Sequence, residues 1–220
     1  MLKTKKNSVI EWGFKRFNRK LLNRNFQQIR LSDNASLQDY SHTLFFVNHS
    51  TWWDPLLIYY LNDQIIHSDG YGMMHEDGIK KFPFFRKIGA YSINTDHRRH
   101  IMDSLSYSIS LLNNGKSVWI FPQGEEQHLE KRPLQFFQGL SYIAARAHKI
   151  KIIPISLYYS LEHTKKPNAY IKIGSPIAPI KYENLNRKET TRLFEEISTS
   201  QLDDLKKLVV EEDHQDFRSI

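Results

Sequence analysis

The chain has 220 residues, with 31 Lys/Arg, 24 Asp/Glu and no cysteine. That length is enough for one domain with a sizeable core, and the missing cysteine excludes disulfides, thiolate metal sites and a Cys nucleophile. The 40% hydrophobic and 13% aromatic content is that of a globular protein.

The formal charge of +7 is unevenly spread: residues 1–30 hold nine Lys/Arg and one Glu, net +8, whereas the rest hold 22 Lys/Arg against 23 Asp/Glu, net −1. Within this first segment Ile10, Phe14, Phe17 and Leu21 recur at helical spacing, with Trp12 nearby. Lys15, Arg16, Arg19, Lys20 and Arg24 fill most of the other positions, which predicts a basic amphipathic helix. Such a helix suits a membrane surface. It equally suits a helix packed on the domain with a solvated basic face. Nucleic acid is a third reading, but the basic excess is local and no nucleic-acid motif accompanies it, so none is expected as a partner. No window reaches the roughly 18 apolar residues of a spanning helix, and the N-terminus lacks a signal-peptide core. A cytoplasmic protein, peripheral on the inner face of a membrane, is the expectation.

Residues 31–42 are polar and read as a loop. Leu44 to Val47 is a short apolar run expected as a buried strand, and Pro55 to Leu61 opens a helix with Asp54 at its N-cap. Tyr91 to Asn94 is a weaker strand pattern. Residues 100–112 have helical spacing and stop before "NNG", a helix-ending signal. Ser117 to Phe121 reads as a strand and Leu140 to His148 as a helix. Lys151 to Tyr159 and Ala169 to Ile177 are two further strands. Residues 188–210 form a last amphipathic helix, with Leu193, Ile197, Leu205 and Leu208 on its apolar side. Strands alternating with helices predict a single α/β domain: a mostly parallel mixed sheet flanked by helices, preceded by the basic helix. The division expected is 1–30 for the membrane-surface segment and 31–220 for the domain.

The stretch "NHSTWWDPLL" (Asn48 to Leu57) sets His49 and Asp54 five positions apart, just after a strand. On one continuous helix such residues would diverge by about 140°. With His49 in a turn and Asp54 opening the next helix, the chain can double back and bring carboxylate to imidazole. The carboxylate would then fix the tautomer, leaving the other nitrogen to take a proton from a hydroxyl. A Ser nucleophile is the rival, but no G-x-S-x-G elbow is present; "GLSYI" around Ser141 lacks the second Gly and lies in a helical pattern. No metal site is expected: His97 and His100 lie three apart, and a solvated face accounts for them as well.

"NHSTWWD" resembles the N-H-x4-D block of the glycerolipid/lysophospholipid acyltransferase superfamily (1-acylglycerol-3-phosphate acyltransferase-like). "FPFFRKIGAYSINTDHRR" is similar to that family's second block, "WIFPQGEEQ" to its third and "KIIPISL" to its fourth. The four arrive in the family's order over roughly residues 40 to 180. The resemblance implies transfer of an acyl group from acyl-CoA or acyl carrier protein to a lipid hydroxyl, with His49 as base and Asp54 orienting it. It also implies no cofactor beyond the thioester co-substrate, and acceptor binding by Phe121, Pro122, Gln123, Gly124 and Glu126. Where the family's third block has Glu and Arg, this chain has Gln123 and Glu126. Glu126 would repel a phosphate, so Arg98, Arg99 or Arg132 would have to replace the missing cation. A neutral acceptor, such as a glycolipid, is therefore expected in preference to lysophosphatidic acid. A non-catalytic lipid-binding module on the same fold is the other alternative.

Overall fold

A computed structural model describes residues 1–33 and 39–220. Residues 34–38, part of the expected loop at 31–42, lie outside the described residues.

The chain runs through helix α1 (Ser8–Asn25), strands β1 (Ile29–Asp33) and β2 (Thr43–Val47), and helix α2 (Asp54–Leu61), which continues as a π-helical turn (Asn62–Ile66). Strand β3 (Gly70–His75), helix α3 (Glu76–Lys81), a 3-10 turn (Pro83–Ile88) and strand β4 (Ala90–Ile93) come next. Helix α4 (Arg98–Asn113), strand β5 (Ser117–Ile120), helix α5 (Gly139–Ala144), strands β6 (Lys151–Ser160) and β7 (Asn168–Ile173), helix α6 (Arg187–Val210) and strand β8 (Arg218–Ser219) complete it. One eight-stranded sheet has the order β4-β3-β5-β2-β6-β7-β1-β8. Its pairings are parallel except β6 with β7 and β1 with β8. The α/β fold with a mostly parallel mixed sheet is thus as expected.

β2 lies at the centre, and its alternation explains why every residue in it is buried. Phe45 and Val47 face one layer, with α1, α2 and the 3-10 turn; Leu44 and Phe46 face the other, with α4, α5 and α6. A strand with apolar side chains on both faces is what a sheet covered on both sides demands. Phe45 stacks on Trp119 of β5 at a centroid distance of 4.0 Å.

The helices bury faces displaced from those the spacing suggested. In α1 the buried residues are Phe14, Asn18 and Leu22, so Ile10 and Phe17 stay exposed. Asn18 can be buried because its amide donates to the Leu56 carbonyl of α2 at 2.9 Å. In α6 Phe194, Leu202, Leu205 and Val209 are buried; of the four expected residues only Leu205 is, and Leu193, Ile197 and Leu208 flank the stripe half-buried. A capping box, Asn186 with Glu189, starts that helix. The boundary expected at residue 30 falls inside β1, which pairs in parallel with β7. Ahead of α1, residues 2–7 lie along β4 and the 3-10 turn before it: Ser92 N–H donates to the Leu2 carbonyl at 2.9 Å, and Asn7 N–H to that of Lys87 at 2.9 Å.

Candidate active site

The strands β5, β2 and β6 are mutually parallel neighbours, so their C-terminal ends open on one edge of the sheet, where α/β folds gather their chemistry. β2 ends at Val47, and Asn48 anchors the turn that leaves it. Its side chain imitates a peptide unit beside β6: Oδ1 accepts the Leu157 N–H at 2.7 Å, and Nδ2 donates to the Leu157 carbonyl at 3.0 Å. His49 is then held through its backbone. Its N–H donates to Gln123 Oε1 at 2.7 Å, and its carbonyl accepts the Gln127 N–H at 3.0 Å. The imidazole lies flat on Phe121, with ring centroids 4.3 Å apart.

The chain doubles back as the spacing predicted. His49 Nδ1 and Asp54 Oδ2 are 2.8 Å apart. Asp54 is fully buried, and a buried carboxylate needs donors. Oδ2 also accepts the N–H groups of Ser50 (2.6 Å) and Thr51 (2.9 Å), and Oδ1 accepts the Tyr159 hydroxyl at 2.5 Å. Burial, followed by the charge of Asp54, pushes the Tyr159 phenol well above its usual range, so it stays a donor. Asp54 is not the N-cap. Trp53 precedes it, Asp54 is the first residue of α2, and its carboxylate turns back to the N–H groups of the preceding turn. The reason is steric economy: Pro55 has no N–H to be capped, whereas the tight 49–51 turn leaves two that need an acceptor.

An ionised carboxylate only accepts, so the proton of a neutral His49 sits on Nδ1 and Nε2 presents its lone pair. Nε2 makes no hydrogen bond among the described residues, and the side chain is 17% exposed. An imidazole held by a buried carboxylate, with its second nitrogen left open, is what the turn assembles.

The third-block residues divide. Phe121 carries the imidazole. Pro122 is buried, and its carbonyl accepts the Phe137 N–H at 2.8 Å. Gly124 has φ +77°, so the backbone calls for glycine; a Cβ there would come 2.5 Å from the ring of Phe137, which is exposed and can turn aside. Gln123 is buried and its carbonyl oxygen is committed to His49, while its Nε2 meets Gln127 Oε1 at 3.3 Å. It holds His49 in place through the backbone. Glu126 is exposed and makes no hydrogen bond or ion pair among the described residues. Arg132 is not gathered with them: its Nε pairs with Asp203 of α6 at 2.6 Å, and Nη1 donates to the Leu129 and Lys131 carbonyls. Arg98 opens α4, exposed, and like Arg99 forms no ion pair among the described residues. Hollows of about 430 Å³ between β7 and α6 and about 290 Å³ beside Phe26 and Ile220 lie elsewhere, and neither is lined by His49 or Asp54.

Sequence reasoning missed Asn48 and Tyr159 as builders of the site. Asn48 adjoins His49 and was within reach of inspection. Tyr159 is 105 residues from Asp54 and carries no local signal.

The acyltransferase family model matches residues 28–158. Among solved structures, the 1-acyl-sn-glycerophosphate (LPA) acyltransferase PlsC from Thermotoga maritima is similar, with a TM-score of 0.63 and 16% identity over 89% of this chain and 80% of that one. At that identity the likeness concerns the fold. No curated protein matches.

Proposed function

Because this chain belongs to the acyltransferase family, we propose that it moves a fatty acyl group from an acyl thioester, acyl-CoA or acyl carrier protein, to the hydroxyl of a lipid acceptor. The observation that carries the mechanism is the His49–Asp54 contact with Nε2 left open. Nε2 removes the hydroxyl proton as the oxygen attacks the thioester carbonyl, and Asp54 stabilises the imidazolium. The tetrahedral intermediate collapses by expelling a thiolate. Its thiol has a pKa of about 8.5, so departure needs little protonation. No metal or redox group takes part in this proposal.

For the acceptor, the state of the arginines and Glu126 supports a lipid without a phosphate at the site, such as a glycolipid. Arg132 is committed to Asp203, and Glu126 stands uncompensated. The free guanidinium groups of Arg98 and Arg99 favour a second reading, a lysophosphatidic acid acceptor as in the similar solved enzyme. An acceptor panel separates them: strong preference for a phosphate-bearing lysolipid over sugar lipids removes the first reading.

Lipid acceptors stay in bilayers. No helix among the described residues is long and apolar enough to cross one. The basic segment 1–30 is proposed to bring the enzyme to an anionic membrane surface, on the inner face if the protein is cytoplasmic, with each cation worth roughly 1 kcal/mol there.

His49→Ala is expected to abolish acyl transfer while circular dichroism stays unchanged. Asp54→Asn should cost less, between about 10²- and 10⁴-fold in kcat, because its oxygen can still meet the three donors at Oδ2 while its amide meets Tyr159 with the hydroxyl reversed. Full activity in His49→Ala refutes the mechanism, and absence of acyl transfer by the wild type on any acceptor leaves a non-catalytic lipid-binding module.

A further inference from the structure

Lys81, Phe82, Pro83 and Phe84 are four consecutive exposed residues joining α3 to the 3-10 turn. Phe82 is 39% and Phe84 41% exposed, although each belongs to an aromatic cluster. Phe82 and Phe84 meet Phe85, at 6.0 and 4.3 Å, and Phe84 meets Phe14 of α1 at 5.6 Å. On α1, Phe14 in turn meets Phe17, itself 57% exposed, at 6.1 Å, and Ile10 is exposed one turn before Phe14. Two elements thus contribute to one outward apolar ridge. Inwardly, Phe14 meets Tyr59 of α2 at 5.0 Å, so the ridge is a single ring removed from the helix that begins with Asp54.

Cations flank this ridge. Lys81 Nζ lies 5.4 Å from the Phe82 ring centroid; Lys87, one 3-10 turn after Phe84, and Lys20 and Arg24, three and seven residues after Phe17 on α1, form no ion pair among the described residues. The acids on the same elements are turned to other cations: Glu76 and Asp77 face Lys80, and Glu11 faces Lys6 at 3.7 Å. Aromatic side chains that stand out of the surface between unpaired cations match an anionic bilayer, where rings settle among the headgroups and ammonium groups meet lipid phosphates.

We propose that the Lys81–Phe84 turn, together with Ile10 and Phe17 of α1, is a docking surface for an anionic bilayer, with Phe82 and Phe84 as its inserting residues. The inference rests on the lipid-acceptor reading above, and it extends membrane contact beyond residues 1–30 to a segment of the domain itself. Pro83 keeps the turn stiff, so the two rings are presented without an ordering cost.

The test is co-sedimentation with phosphatidylcholine vesicles with and without about one-third phosphatidylglycerol, using full-length protein and the variant Phe82→Ser/Phe84→Ser. Its fold is checked by circular dichroism, and its turnover on a detergent-dispersed acceptor is compared with wild type. The expected result is about tenfold or more weaker partitioning to anionic vesicles with turnover in detergent retained. Phe17→Ser should weaken partitioning in the same direction, as a second variant should the first misfold. Wild-type-like vesicle binding by both variants overturns the docking surface while leaving acyl transfer and the basic helix untouched. If the wild type binds no anionic vesicles yet transfers acyl groups in detergent, the membrane reading fails as a whole and the enzyme reading survives. Dimerisation that the substitutions abolish, without vesicle binding, would make the ridge an interface between copies and also overturn the proposal.

Discussion

Tyr159 shows how much of the site depends on one hydroxyl. Among the described residues it supplies the sole donor to Asp54 Oδ1, while Oδ2 takes three. Tyr159→Phe keeps the ring but leaves a buried carboxylate oxygen unpaired, a loss of about 1–3 kcal/mol. It should lower kcat by roughly tenfold with KM nearly unchanged, because the buried hydroxyl is taken up by Asp54. A rise in KM with kcat preserved would contradict that role. The pair His49 and Asp54 was legible before the fold was known, since both sit in one short turn with Pro55 marking the helix start. Tyr159 was not, because only the pairing of β2 with β6 brings it within reach. Gln123 was found for another reason than its contacts: the block pointed to acceptor binding, whereas its carbonyl oxygen holds the His49 N–H.

At the scale of elements, Asn48 ties the end of β2 to β6 through both its amide groups. Asn48→Ala would leave the Leu157 N–H and carbonyl buried without those partners and should cost about 2–4 kcal/mol in a urea melt. A change within about 0.5 kcal/mol would show that the strands re-pair unaided. The elements themselves were legible where apolar pattern and punctuation agreed. β2, β5, β6 and β7 carry continuous apolar runs, and α4 ends at its asparagines. β3 was not legible, because "GYGMMH" has two glycines and no β-branched residue; its place between β4 and β5 makes it a strand. β1 was hidden in a polar stretch whose partner, β7, lies far along the chain. α1 and α6 were found as helices, but their buried faces were displaced. Asn18 and Ser198 are buried where an apolar count passes over them.

For the whole molecule, the tyrosines set an alkaline limit. Burial is the main cause that raises Tyr59, Tyr91, Tyr159 and Tyr170 above the usual value, and it pushes Tyr71 and Tyr158 up to about 12. An unfolded chain releases these protons near pH 10. The fold retains them, so their contribution is complete below about pH 10 and is lost as pH rises through 12. Urea midpoints should fall steadily between about pH 9 and pH 12, with phenolate absorbance appearing in step with unfolding. A midpoint that stays constant across that range would exclude it.

β6 has a consequence at this scale too. Leu157 and Tyr159, two residues apart on it, are the anchor points of Asn48 and Asp54. Slippage of that strand by a single residue would present the opposite side chains to the turn and silence the enzyme at one stroke. Warming should therefore extinguish turnover in the same narrow interval that melts the central sheet, without an earlier stage in which the body is intact and the chemistry already gone.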